Sequence, residues 1–222
     1  MAEWYEGWTD VTYPIFEGMT GWPGQPDTNL EMLSCIHCGD TAKVSVIHMS
    51  VHTGTHMDAP CHFLAQGTDI SRFPISVGLG PVRIARIDCV AEVTPQDLEA
   101  YEKRTRPLLA GDRLLLRTPN SDAAFWPQAP FNKDYHGIGP AAAHWIADRK
   151  LQLVGVDYLS VGPFYQGNPQ THRALLGADV WVIEGVDLRR TDEGDYDMIC
   201  LPLKIAGSDG SPIRILLREK AD

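Results

Sequence analysis

Residues 28–36 and 42–51 are β-rich, and the second run places Val44, Val46, His48 and Ser50 on one face of an extended chain. Short, β-branched apolar runs predict further strands at 81–90, 112–118, 151–157, 180–186, 197–206 and 212–218. Two helices interrupt them. Thr94-Pro95 offers an N-cap followed by proline at the first helical position, opening 95–105, and Pro140 opens 140–149 in the same way. A short third helix is expected to start near Thr171-His172. The middle of the chain therefore alternates strand and helix while both ends are strand-rich, which predicts an α/β fold with a mixed sheet in a single domain, residues 1–222.

Composition narrows the setting. The 222 residues are 44% hydrophobic and 22% charged, enough for one well-buried core. A formal net charge of −10, with no basic cluster, argues against nucleic acid as a partner. No apolar run is long enough to span a bilayer and the opening MAEWYEGWTD does not read as a signal peptide, so a cytoplasmic protein is expected. Five cysteines at 35, 38, 61, 89 and 200 read as reduced thiols. Cys35-Ile36-His37-Cys38 is formally a C-x-x-C, but no second pair completes a structural zinc site.

The chemistry concentrates in His52-Thr53-Gly54-Thr55-His56-Met57-Asp58-Ala59-Pro60-Cys61-His62. Neutral imidazole and ionised carboxylate hold zinc, manganese or iron while leaving coordination positions open. His52, His56, Asp58 and His62 all occupy even positions, one face of an extended chain, whereas Cys61 points away. A helix is excluded by the β-branched Val51, Thr53 and Thr55, by Gly54 and by Pro60. A straight strand fails too, because at about 3.3 Å per residue His52 and His56 would stand roughly 13 Å apart. The chain must bend, and Gly54 and Pro60 are where it bends most easily.

Glu184 lies in Val180-Trp181-Val182-Ile183-Glu184-Gly185-Val186, on a strand face with Val180, Val182 and Val186. A bare carboxylate there needs a compensating cation, either a metal or an arginine. His172, twelve residues earlier, is placed at a loop-to-helix boundary, as a ligand or as an ordinary hydrogen-bonded histidine. Trp22-Pro23-Gly24 centres a loop carrying a large aromatic.

HTGTHMDAPCH resembles the H-x-G-T-H-x-D-x-P-x-H signature of the cyclase family of metal-dependent hydrolases. Trp22-Pro23-Gly24, Val156-Asp157-Tyr158-Leu159-Ser160, THRALLGADVWVIEGVDL and LPLKIAGSDGSPIRILL are also similar to that family. The resemblance implies a swivelling β/β/α fold, usually a homodimer. It implies that His52, His56 and Asp58 bind a divalent metal, that His172 and Glu184 complete a second position, and that Asp58 and Glu184 bridge. One or two Zn2+ ions, or Mn2+, are expected. His62 matches the proton-transfer residue and Trp22 the residue that contacts an aromatic substrate.

The implied activity is hydrolysis of a small aryl amide, by metal-activated water with His62 as proton shuttle. N-formyl-L-kynurenine is the leading substrate; a cyclic amide such as isatin, or a relative that binds metal or an aromatic ligand without turnover, is the alternative. Gln25 stands where formamidases usually carry an acidic residue, with Asp27 two positions on. Substrate choice is expected to depend on that segment and on residues 119–138.

Overall fold

Leu114, Leu115 and Leu116 are all fully buried, because their strand is covered on both faces. The computed structural model describes residues 6–122 and 126–220. The first five residues of the amino-terminal segment and residues 123–125 of the 119–138 segment, both named above, lie outside the described residues.

In chain order the strands are β1 (Trp8–Asp10), β2 (Asn29–Ser34), β3 (Val44–His48), β4 (His56–Asp58), β5 (Leu79–Arg86), β6 (Glu92–Val93), β7 (Arg113–Arg117), β8 (Gly137–Ile138), β9 (Leu153–Val156), β10 (Trp181–Glu184), β11 (Gly194–Pro202) and β12 (Gly210–Glu219). The helices are α1 (Ile75–Gly78), α2 (Pro95–Arg104), α3 (Pro140–Asp148) and α4 (Asn168–Leu176). The principal sheet runs β1-β12-β11-β5-β7-β9-β10-β4, and β4 pairs again with β12. Seven strands therefore close into a ring, with β1 appended to β12. Pairs from β5 through β10 are parallel, and those involving β4, β11 and β12 are antiparallel. The mixed sheet is the one expected; its closure was not legible in the strand pattern.

Alternation along the strands divides the core in two. Ile84, Leu115, Leu153, Ile183, Met198 and Ile215 fill the ring interior. Ala85, Leu114, Leu116, Val154, Val156 and Val182 face outward and pack against Leu98, Ile146 and Leu175 of the helices. At about 25 cal/mol per Å2 of apolar surface removed from water, this second layer is what holds α2, α3 and α4 on the wall of the ring.

The helix starts obey local chemistry. Thr94 and Asp97 form a capping box at α2, and Pro140 opens α3. The third helix begins earlier than expected, because Asn168-Pro169 occupies its first turn, where proline's missing N–H leaves nothing unpaired. His172 therefore lies inside α4, not at its boundary. Val186 likewise departs from expectation: it lies beyond the end of β10 and joins the ring interior. β2 and β3 form a separate two-stranded hairpin exposing Leu30, Met32 and Ile47.

Candidate metal centre

The bend needed to bring His52 to His56 is made at Gly54, whose φ of +66° suits a residue without a Cβ. β4 follows, and its alternation sends Met57 into the ring interior while His56 and Asp58 face outward. Pairing with β10 sets Glu184 opposite His56 and Val182 opposite Asp58. Pro60 then opens a single 3-10 turn, Pro60–His62, which returns His62 over His52 with ring centroids 4.1 Å apart. From the other side α4 delivers His172, stacked on Phe63 at 4.2 Å. Cys61 packs toward the ring interior, away from this cluster.

Four buried residues meet at the centre. His56 Nε2 lies 3.2 Å from Glu184 Oε2 and 3.5 Å from Asp58 Oδ1. His172 Nε2 lies 3.1 Å from Glu184 Oε1 and 3.4 Å from Asp58 Oδ2. Each carboxylate thus turns one oxygen to each imidazole. His52 adds Nδ1 at 3.0 Å from Asp58 Oδ1.

The residues fit a cation on three counts. His56 Nδ1 donates to Gly54 O at 3.0 Å and His172 Nδ1 to Asn168 O at 2.8 Å. A carbonyl only accepts, so the proton of each neutral ring sits on Nδ1 and the Nε2 lone pair faces carboxylate oxygen. Lone pair against carboxylate is repulsive unless a proton or a metal lies between them. Second, His56 Nε2 and Asp58 Oδ2 are buried with no hydrogen-bond partner, close to opposite groups but not aligned with them. Third, a tetrahedral ion with bonds of about 2.0–2.1 Å separates its ligands by roughly 3.3 Å, close to the spacings found here. His52, His56 and Asp58 could hold one ion, and Asp58, His172 and Glu184 another, with Asp58 common to both.

Without a cation the protons must do that work. Burial disfavours charge on His56 and His172, but Asp58 and Glu184 overcome it and raise both imidazoles to about 10. Burial would raise the Asp58 carboxyl, yet His172, His52 and His56 hold it well below its usual range. Glu184 is pushed up by burial and by Asp58, and pulled down further by His172 and His56. His62 behaves differently: burial pushes its imidazole below the ordinary value, against the pull of Asp58.

The cluster floors a cleft of about 170 Å3. Trp22, Gln25, Phe63 and Leu159 line it together with His62, His172 and Glu184. Trp22 is half-buried, its ring 5.3 Å from Phe131 and 5.5 Å from Phe164. Of the site residues expected from the sequence, Trp22, His52, His62, His172 and Glu184 line this cleft, and His56 and Asp58 are buried directly against His172 and Glu184. Asp209 was missed. Its Oδ2 accepts from His52 Nε2 at 3.0 Å and lies 3.2 Å from His62 Nδ1, so it joins the two stacked rings. With these two it forms a third group able to hold an ion. In the sequence it is only part of a Ser-Asp-Gly turn, 157 residues from His52. The following Gly210 leaves room for His52, since a Cβ there would lie 2.8 Å from the ring.

Comparison with known proteins points the same way. Residues 9–163 match the family model Cyclase, described as "Putative cyclase". A kynurenine formamidase of Bacillus anthracis is 31% identical over 211 residues, covering 95% of this chain and 97% of that protein. A structure from Bacillus stearothermophilus, described as a predicted metal-dependent hydrolase, is 31% identical with a TM-score of 0.81, covering 96% of this chain and 98% of that one. Isatin hydrolase A from Labrenzia aggregata shares the fold, with a TM-score of 0.80 at 22% identity and coverage of 96% and 94%.

Proposed function

This chain belongs to the cyclase family, and on that premise we propose that it is a metal-dependent amidohydrolase acting on a small aryl amide. The observation that carries the reading is the pair of orphaned buried atoms, His56 Nε2 and Asp58 Oδ2, set among opposed imidazoles and carboxylates. His52, His56 and Asp58 would hold one divalent ion, and Asp58, His172 and Glu184 a second. Zinc and manganese both suit this nitrogen and oxygen donor set. When bound, such a cation supplies a Lewis acid and lowers the pKa of water toward about 7.

The chain's own groups do the rest. His62 lines the cleft and donates from Nδ1 to Asp209, which leaves the Nε2 lone pair free to take up a proton. Burial keeps its ring neutral near pH 7, so it can accept a proton from attacking water and deliver it to the departing nitrogen. An amide anion is far too basic to leave without it. Trp22 would stack against the aryl ring.

N-formyl-L-kynurenine is the first substrate proposed, on the strength of the formamidase relative. A cyclic aryl amide is the second, favoured by the uncharged Gln25 side chain at the cleft. Comparing hydrolysis of the two by metal-loaded and chelated protein tests both; equal turnover with and without metal would overturn the reading. We further propose a cytoplasmic homodimer. Its supports are the apolar face of the β2–β3 hairpin, with Leu30, Met32 and Ile47 about half exposed, and five free cysteines. Among the described residues, no helix is long and apolar enough to cross a membrane.

A further inference from the structure

Cys35 and Cys38 stand apart from the metal centre, at the tip of the β2–β3 hairpin. β2 ends at Ser34, and the chain then makes one 3-10 turn, Ile36–Cys38. The Cys38 N–H donates to Cys35 O at 2.9 Å. Asp40 braces the turn, its Oδ2 accepting from Cys35 N at 2.7 Å and its own N–H donating to Cys35 O at 3.2 Å. A four-residue turn closed by an i to i+3 hydrogen bond holds its end Cα atoms within about 7 Å. Disulfides need about 4.4–6.8 Å. The backbone therefore already holds the two cysteines near bridging distance, with no rearrangement of the strands.

The two sulfurs are also chemically unequal. Interaction with the Cys38 thiol, and to a smaller extent with the N–H groups of Cys38 and His37 and with Lys43, lowers the Cys35 pKa against the opposing effect of burial. The same contact raises that of Cys38. Cys35 is partly exposed and Cys38 exposed. The other three thiols differ: burial raises Cys61, and raises Cys89 to about 12, while Cys200 is buried and pushed up further. Among the described residues, no group able to hold a metal ion includes either Cys35 or Cys38.

We propose that Cys35 and Cys38 form a dithiol that exchanges with low-molecular-weight disulfides, Cys35 attacking and Cys38 resolving. In the first step the Cys35 thiolate attacks a disulfide RSSR, forming a mixed protein–SR disulfide and releasing RS−. In the second the Cys38 thiolate attacks the Cys35 sulfur, closing the Cys35–Cys38 bond and releasing another RS−. Both thiol protons end on the two released thiols, so one RSSR is reduced to two RSH as the protein dithiol is oxidised.

The test treats the metal-loaded full chain with excess glutathione disulfide, followed by thiol counting and mass spectrometry of the peptide spanning residues 35–38. The expected product has lost two thiols, carries no glutathione, and returns to the dithiol with excess reduced glutathione. Cys38→Ser should stop at one glutathione on Cys35, whereas Cys35→Ser should react slower by on the order of 10-fold, following the lost thiolate. A stable glutathione adduct in the unsubstituted protein, equal rates for the two variants, or zinc held by the pair in place of exchange would each overturn the proposal.

Discussion

His56 and Glu184 face each other directly across the β4–β10 register, with Nε2 of one 3.2 Å from Oε2 of the other. They come from positions 128 residues apart, and neither points into the ring. The contact lies on the outer wall of the barrel where α4 crosses it, so two strands and a helix fix it simultaneously. An ion held there would tie β4, β10 and α4 together.

Glu184 has two separable duties, because its Oε1 also accepts from the buried Val161 N–H at 2.6 Å. Glu184→Gln keeps an oxygen for that N–H and removes the charge; it should lower metal content and, in chelated protein, lose only the ion pairs with His56 and His172. Glu184→Ala should lower metal content and in addition destabilise the metal-free protein by about 1–3 kcal/mol, the cost of an unpaired buried donor. Metal analysis and denaturant unfolding of both variants check this. A full metal complement in Glu184→Gln would remove it from the centre.

Much of this centre was legible in the sequence. Even spacing of His52, His56, Asp58 and His62, the need for a bend, and a carboxylate stranded on the Val180–Val182 face are all local signals. The opposition of His56 to Glu184 was not, since register between β4 and β10 depends on how the whole ring closes. Asp209 was hidden for the same reason: its partners are set by the return of β12 beside β4, which no local pattern encodes. The early start of α4 comes from Asn168-Pro169, whose proline suits a first helical turn while the apolar pattern begins only later.

Stability of the chelated protein should depend on pH in a particular direction. His56 and His172 rise from 6.5 to about 10 on folding. Their contribution is fully present below about 6.5 and is lost as pH climbs through about 10. Asp58 and Glu184 are lowered instead, so their contribution is present above their ordinary values and is lost in acid. Melting temperatures of chelated protein should therefore fall between pH 6.5 and 10, and metal should flatten that fall by replacing the protons. A chelated protein that grows more stable over this range would contradict the assignment.

His62 should separate catalysis from metal binding. His62→Ala is expected to keep most of its metal and to lose about 100-fold or more in turnover, the scale of general acid–base assistance. Amides with better leaving groups should suffer less. Stoichiometric metal loss in this variant would instead make His62 a ligand, in the group it forms with His52 and Asp209.

Trp22 should affect binding and, to a smaller extent, stability. Trp22→Ala is expected to weaken aryl substrates by about 1–3 kcal/mol, seen in KM. Its contacts with Phe131 and Phe164 should add a loss of about 0.5–1.5 kcal/mol in unfolding for each aromatic pair removed. An unchanged KM with lowered stability would make Trp22 a packing residue only.

The central claim is that the His56, Asp58, His172 and Glu184 cluster exists to hold a catalytic cation. The most direct measurement follows metal content and aryl formamide hydrolysis together, in one preparation, through chelation and stepwise return of zinc or manganese. Hydrolysis should vanish on chelation and return in proportion to bound metal, saturating at one or two ions per chain. Full hydrolysis by rigorously metal-free protein would contradict it.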